Sequence, residues 1–127
     1  MGEFNFQNAP WHDAELLAVT VDRRSPGVAD VVRLDVVWPD DSTSVVQFQD
    51  CYRFTCSMNF AVVAVETILE ASLLTSSDGL DELRKLWERM GVSVRDLKEF
   101  RIKTNSTGSD LVVFARRVIC SPAGTSE

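Results

Sequence analysis

The stretch LAVTVDRRSPGVADVVRLDVVW, residues 17–38, holds two runs of alternating apolar residues with a turn signal between them. In the first run Leu17, Val19 and Val21 alternate with small or polar residues, which is the pattern of a half-buried strand. Pro26 and Gly27 then favour a turn, because proline fixes φ and glycine permits a positive φ. The stretch therefore predicts a β-hairpin, and a hairpin implies an antiparallel sheet.

The alternation continues through the following residues. The second strand of the hairpin is predicted to turn inward Val32, Leu34, Val36 and Trp38. After a turn at 39–42 come a third strand, with Val46 and Phe48 inward, and a fourth at residues 52–60, YRFTCSMNF. The predicted core-facing members of the fourth strand are Tyr52, Phe54, Cys56, Met58 and Phe60, which makes Cys56 a buried, inert thiol. Residues 49–51 contain no glycine or proline, so a bulge or tight bend is expected there.

The rest of the chain adds one clear helix and two strands. Ser77-Asp78 offers an N-cap and Gly91 a stop signal, and between them apolar residues recur at helical spacing, at Leu80, Leu83, Leu86, Trp87 and Met90. Residues 61–75 fit a buried helix or a strand equally well. Two strands follow the helix, the first with Phe100, Ile102 and Thr104 inward and the last at 111–119. A loop of turn residues lies between them. The prediction is a single α+β domain, residues 1–127, with an antiparallel sheet of about six strands (four, a helical middle, two) and one main helix packed on one face.

The composition is that of a soluble globular domain. Of the 127 residues 45% are hydrophobic and 25% charged, which suffices for one core. No apolar run reaches the ~18 residues needed to span a bilayer, and the N-terminus lacks the features of a signal peptide. Three thinly spaced cysteines agree with a reducing compartment. We therefore expect a cytoplasmic protein that makes no use of a membrane.

Negative charge is concentrated in the first half of the chain. Residues 1–70 carry eleven acidic side chains against four arginines, a net charge of −7, whereas the net charge of residues 71–127 is +1. An acidic field repels the phosphate backbone of nucleic acids and favours a basic protein partner. If the first three strands are neighbours, they form one acidic patch from Asp22, Asp30, Asp35, Asp40, Asp41 and Asp50. The alternative interpretation of these aspartates is solubility and protection of a sheet edge.

The only histidine lies just before the first strand, in Trp11-His12-Asp13. A general base needs a nearby proton and a group to orient it, and adjacent side chains in sequence need not converge. The favoured interpretation is a packed turn at the start of the sheet, with the Trp11 ring on an edge of the core and Asp13 accepting backbone hydrogen bonds. A partner contact and a catalytic role are the alternatives.

Other motifs of catalysis or metal binding are missing. Cys51 and Cys56 have no second cysteine pair or nearby histidine, so a structural zinc site is not expected. The chain has no Gly-x-Ser-x-Gly elbow, no Walker loop and no dinucleotide fingerprint, and we expect no cofactor. The loop Asn105-Ser106-Thr107-Gly108-Ser109 is predicted to be a hairpin turn, although its backbone and hydroxyls could also cup an anion.

Several short stretches resemble those of small bacterial proteins that open with a similar Trp-His-Asp or His-Asp-Ser stretch. The shared stretches are Trp11-His12-Asp13 with Leu16, Asp50-Cys51-Tyr52, Met58-Asn59-Phe60 and Thr104 to Ser109. A His-Asp opening is similar to one found among immunity proteins of bacterial polymorphic toxin systems, although Ala14 stands here where those families have a small polar residue. The resemblance implies an acidic α+β domain that binds and blocks a toxin.

Three functional hypotheses follow. The preferred one is a non-enzymatic cytoplasmic, immunity-like protein that docks a basic partner such as a toxin. Its candidate contact residues are Asp22, Asp35, Asp40, Asp41, Trp11, His12 and Asp13. The second is a small enzyme or ligand-binding domain, which requires His12, Asp13 and the 105–109 loop to meet at one pocket. The third is a scaffolding subunit of a homo-oligomer, for which an unpaired hydrophobic edge strand would be the sign.

Overall fold

A computed structural model describes residues 4–123 and contains one six-stranded antiparallel sheet and one α-helix. The elements are a short 3₁₀ turn at Phe6–Asn8, β1 at Glu15–Ser25, β2 at Ala29–Val37, β3 at Thr43–Ser57, β4 at Ile68–Leu74, α1 at Asp78–Glu88, β5 at Lys98–Thr104 and β6 at Asp110–Pro122. The predicted antiparallel sheet with one main helix is confirmed at this level. Among the described residues, no helix has the length and apolar character needed to cross a membrane.

The order of the strands in the sheet differs from the predicted grouping. The order is β1-β2-β3-β6-β5-β4, so the last strand lies in the middle of the sheet. The two predicted strands on either side of residues 49–51 form the single strand β3, because a bulge between Cys51 and Arg53 bends the strand without ending it. The remaining strand is β4, which settles part of the ambiguous stretch 61–75 as strand from Ile68 onward.

The predicted core-facing residues of the stretch 52–60 are only partly buried. Tyr52, beside the bulge, packs against Trp87 of α1 instead of joining the main core. Cys56 is exposed and the Phe60 side chain is 80% exposed, so the prediction of a buried thiol is wrong. The physical reason is that the predicted alternation runs past the end of the sheet: Cys56 is the second-last residue of β3, which ends at Ser57 opposite the first residue of β6, and Phe60 follows the end of the strand.

The alternation predicted for β1 is confirmed at Val19, which packs against the inner core opposite Leu34, and is wrong at Leu17. Leu16 is buried, whereas Leu17 is 60% exposed and Val21 is exposed as well. An irregularity between Leu16 and Ala18 inserts one extra residue, and one extra residue exchanges the two faces of a strand. For the second strand the prediction is confirmed, because the residues predicted to point inward are buried, namely Val32, Leu34 and Val36 of β2 and Trp38 directly after it.

The sheet carries a core on each face. On the inner face the N-terminal segment covers the sheet with Phe6 and Trp11. On the opposite face Leu80 and Leu83 of α1 pack against Phe114 of β6. The helix begins as predicted, since the Ser77 hydroxyl accepts a hydrogen bond of 3.0 Å from the backbone N–H of Leu80.

The two outermost strands meet at one end of the sheet, so that the sheet closes on itself there. Glu15 pairs with Thr67 in an isolated bridge. Around it, the Asp13 N–H donates to the Ile68 carbonyl at 2.9 Å, the Ile68 N–H to Ala14 at 2.7 Å, and the Leu16 N–H to Glu66 at 2.8 Å. We call residues 12–16 and 66–69 the seam. Beyond it β1 and the chain before β4 separate.

Candidate functional site

His12 belongs to the seam. Its Nδ1 lies 3.0 Å from the backbone carbonyl of Leu69, and since a carbonyl can only accept, Nδ1 is assigned as the donor. The other ring nitrogen, Nε2, lies 3.6 Å from the Asp13 carboxylate, and both side chains are exposed. Asp13 has a φ of 70°, which an aspartate tolerates better than most residues. The pair therefore forms a turn that holds β1 against β4.

Trp11 is 4% exposed and lies in the inner core. Its indole N–H donates a hydrogen bond of 2.8 Å to the Phe6 carbonyl. The ring packs edge-to-face against the ring of Trp38, with the ring centroids 5.0 Å apart. As a candidate contact residue Trp11 has to be withdrawn, because a partner cannot reach it without unfolding the N-terminal segment.

The candidate aspartates do not form one acidic patch. Asp22, Asp30 and Asp50 lie near the β1–β2 turn, where each is paired with an arginine, in the pairs Asp22–Arg24, Asp30–Arg23 and Asp50–Arg117. The Arg24 guanidinium holds the pKa of Asp22 well below its ordinary value. Asp40 and Asp41 lie in the β2–β3 turn at the other end of β2, roughly 30 Å away along an extended strand. The prediction of a single acidic patch is wrong because the aspartates lie in turns at opposite ends of β2.

The other acidic residues predicted to contact a partner also form no shared surface. Asp35 is half-buried in the middle of β2. Asp40 accepts hydrogen bonds from the hydroxyl and the N–H of Ser42, and these bonds lower its pKa. Asp41 is exposed, with a φ of 70°. Within residues 4–123 no cluster of histidine, cysteine, aspartate or glutamate could hold a metal ion.

The loop at 105–109 is the predicted hairpin turn between β5 and β6, and it does hold an anion. The anion is the carboxylate of Glu66. The backbone N–H of Thr107 donates to Glu66 Oε1 at 3.2 Å, and the Thr107 hydroxyl donates to Oε2. The Thr107 and Ser109 hydroxyls are 2.6 Å apart. We call residues 105–109 the hydroxyl turn.

The hydroxyl turn also fixes the two ends of the segment that follows β3. At one end the Asn59 N–H donates to the Ser109 hydroxyl at 3.0 Å, and the Asn59 amide donates to the Thr107 carbonyl at 2.9 Å. At the other end the Ser106 hydroxyl donates to the Val65 carbonyl, next to Glu66. Residues 58–66, which we call the apolar loop, are thus tied at both ends by one turn.

The middle of the apolar loop presents its side chains to solvent. Phe60 and Val63 are the most exposed, at 80% and fully exposed, and Val62 and Val65 are exposed as well. Ala61 has a φ of 76°, which is unfavourable for a residue with a Cβ atom. Large apolar side chains on a strained but anchored loop are typical of a recognition surface.

A groove of about 380 Å³ separates the apolar loop from β1. Its walls are residues 16–19 on one side and residues 58–62 and 64 on the other, with Glu66 and Thr107 at its end. Among the described residues that line it, Glu66 alone is charged. Within the described chain the outer edge of β1 has a strand partner only at Glu15, and its residues 17–19, which follow, line the groove. His12 and Asp13 do not line this groove.

A second cavity, of about 550 Å³, lies between the β1–β2 turn and the end of α1. Tyr52 and Trp87 line it, with the Arg116 guanidinium 5.2 Å from the centre of the Tyr52 ring. Its four charged lining residues are each partnered within the chain, in the pairs Arg23–Asp30, Asp50–Arg117 and Arg116–Asp96. This cavity therefore offers a ligand no free charge, and the groove is the stronger candidate.

The sequence contained part of the signal for this surface. Residues 61–65, AVVAV, form an apolar run without alternation, which fits neither a half-buried strand nor an amphipathic helix. Such a run is predicted to be buried because apolar residues usually are. Its exposure depends on Asn59 and Glu66 reaching a turn about forty residues further along the chain, and no local pattern reveals that.

Compared with known proteins, the chain matches no family model, and no curated protein sequence is significantly similar to it. Its function therefore has to be inferred from its own residues and their geometry.

Proposed function

We propose that this chain is a non-enzymatic protein-binding domain that docks a partner on the apolar loop and the adjoining groove. The observation that carries the proposal is the concentration of exposed large apolar side chains around this groove, from Leu17 of β1 to Phe60 and Val62 of the loop. Exposed apolar surface of this kind marks interaction sites in folded proteins. Phe60 is the proposed anchor, because a large aromatic side chain buries the most area on docking.

The polar groups expected for an enzyme have other partners. The second hypothesis needs His12, Asp13 and the 105–109 loop to share one pocket. The Thr107 hydroxyl is bonded to Glu66, the Ser109 hydroxyl to Asn59, and His12 Nδ1 to Leu69. The structure thus uses these groups to hold the chain together, which favours a binding protein over a catalyst.

Charge favours a protein partner over a membrane surface or a nucleic acid. The apolar loop and β1 belong to residues 1–70, whose net charge is −7. Acidic surroundings repel anionic lipids and phosphates and attract basic proteins. In the form that the sequence resemblance favours, the partner is a basic toxin that this chain neutralises in the cytoplasm, as an immunity protein does.

Binding to basic proteins encoded next to this gene tests the proposal. Each is titrated against the wild-type chain, a Phe60→Ser variant and a Val28→Ser variant, with affinity measured by calorimetry. Val28 is the matched control, since it is as exposed as Phe60 but lies in the β1–β2 turn away from the groove. We expect salt-sensitive binding that Phe60→Ser weakens at least tenfold and Val28→Ser leaves unchanged. Equal loss in both variants, or no neighbour-encoded protein that binds, would contradict the proposal.

A scaffolding homo-oligomer is the second candidate, and one observation favours it. The outer edge of β1 is unpaired from Leu17 onward within the described residues, and Leu17 and Val21 are exposed there. Unpaired apolar edges are sites of edge-to-edge association. Light scattering over a range of protein concentrations tests this candidate, which a constant monomer mass would exclude.

A further inference from the structure

We infer that the partner of the groove is a single extended segment that adds a β-strand to the free edge of β1, with alternating apolar side chains and a lysine or arginine beside Glu66. The inference rests on the proposed function, because it specifies what occupies the same surface.

At the seam, the free edge of β1 already has the conformation that pairing with an added strand requires. At Glu15 the edge of β1 is already paired with Thr67, so the backbone has the geometry of a paired strand at that point. From Leu17 onward the neighbouring chain moves away as the apolar loop, and the groove takes the place of the missing strand. An added strand would satisfy open backbone N–H and C=O groups along β1, and such main-chain hydrogen bonds supply affinity in β-strand addition.

The lining of the groove selects the side chains of the added strand. Leu17 and Val19 lie on the β1 side, and Phe60 and Val62 lie on the loop side. An extended segment presents every second side chain to the same face. Alternate apolar residues would therefore fill the groove while the residues between them stay in solvent.

The negative charge of Glu66 determines which end of the bound segment has the basic side chain. Glu66 lies at the seam end of the groove, and Glu15 occupies the start of β1 at the same end. Among the described lining residues there is no lysine or arginine to neutralise Glu66. A basic side chain of the partner would complete this end, and it agrees with the acidic first half of the chain.

The groove favours a single free strand over a second copy of the sheet. Its far wall is the apolar loop, so the added strand has to be free of a neighbour on its other edge. In a second copy β1 is already hydrogen-bonded along its other edge to β2. At the far end of β1 the charged residues Asp22, Arg23 and Arg24 protect the edge, as charges commonly do. The addition is thereby confined to about residues 17–21.

A displayed library of random nine-residue peptides is the probe. Selection is run on the wild-type chain, on Leu17→Glu and Phe60→Ser variants as counter-selection, and on Val28→Ser as the matched control. We expect peptides with alternating apolar residues and a terminal lysine or arginine to be enriched on wild type and Val28→Ser and lost on the other two. Circular dichroism of each variant confirms that it is folded. A Glu66→Gln variant should enrich the same alternation without the basic residue.

Amide hydrogen exchange on the selected peptide then identifies the mode of binding. Strand addition predicts at least tenfold slower exchange of amides within residues 17–21, and a tenfold weaker affinity when every second peptide nitrogen is methylated. Binding that depends on Phe60 without protection of β1 would overturn the inference and leave the proposed function standing. Failure to enrich any peptide over the Phe60→Ser variant would count against both. Concentration-dependent protection of β1 without peptide would show that a second copy occupies the edge, and would overturn the inference.

Discussion

At the residue scale, Glu99 shows what alternation predicts and what it leaves open. The alternation in β5 correctly predicts that Phe100 and Ile102 point inward and that Glu99 lies on the opposite face. Glu99 is nevertheless only 1% exposed, because α1 covers that face and its cap residue Ser77 donates a hydrogen bond to the carboxylate. Periodicity assigns a residue to a face, but which part of a face a helix covers depends on tertiary packing.

Replacing Gly79 by alanine should destabilise the protein. A Cβ atom at this position would lie 2.9 Å from the Phe114 ring, so the start of α1 would have to move away from the sheet. Overpacking of this kind costs about 1–3 kcal/mol, which exceeds the ~1 kcal/mol that alanine gains over glycine in helix propensity. Urea unfolding of Gly79→Ala, with Glu88→Ala on the exposed face of α1 as control, measures the difference. A more stable Gly79→Ala variant would show that this contact relaxes freely.

Asp22 should make stability depend on acid. Hydrogen bonds and charge from Arg24 lower the pKa of Asp22 in the folded protein below its ordinary value of 3.8. Its contribution is therefore complete above about pH 4 and is lost as the pH falls further, toward the lowered pKa. An Asp22→Asn variant should lose less stability than wild type between pH 4 and pH 2 in thermal unfolding. Asp41→Asn, at an exposed turn position, is the control and should follow wild type.

At the element scale, the hydroxyl turn was predictable as a turn and unpredictable as an anchor. Asparagine, serine and glycine in Asn105 to Ser109 favour a turn whatever surrounds them. Its contacts with Asn59 and Glu66 join positions more than forty residues apart, and only the assembled sheet brings them together. The candidate site could not be predicted for the same reason, since the apolar loop exists only where this turn ties it.

Removing the Thr107 hydroxyl should loosen the apolar loop. Thr107→Val keeps the N–H bond to Glu66 Oε1 but takes the hydroxyl bond from Oε2, which leaves part of the carboxylate without a partner. We expect a loss of about 1–3 kcal/mol in the free energy of unfolding and faster amide exchange across residues 58–66. Thr55→Val, on an exposed part of β3, serves as control. Unchanged exchange in the loop would mean that its other contacts suffice.

At the scale of the whole molecule, the first hairpin was predictable and the closure of the sheet was not. A short turn between two alternating runs is enough to pair β1 with β2. The insertion of β6 between β3 and β5, and the meeting of β1 with β4, depend on pairings between distant segments. Sequence patterns in single strands carry no information about which distant edges meet.

The seam should matter to stability more than to encounter with a partner. His12→Ala removes one exposed hydrogen bond to Leu69, at a cost of about 0.5–1.5 kcal/mol. Trp11→Ala, next to the seam, empties part of the core at about 3–5 kcal/mol. Because loop closure between such distant strands comes late, His12→Ala should chiefly raise the unfolding rate, as stopped-flow kinetics can show. A His12→Ala variant of wild-type stability that no longer binds the partner would show instead that His12 acts mainly as a contact residue.

The anchoring of the apolar loop separates what the domain recognises from what keeps it folded. The hydroxyl turn holds the loop through Asn59, the Val65 carbonyl and Glu66, and none of these contacts uses the side chains of residues 60–64. Those five positions can therefore change with little effect on the rest of the sheet. Foreign segments of equal length could therefore be grafted between Asn59 and Val65. Natural variants could likewise acquire new binding partners by substitutions in this loop while they keep the same fold.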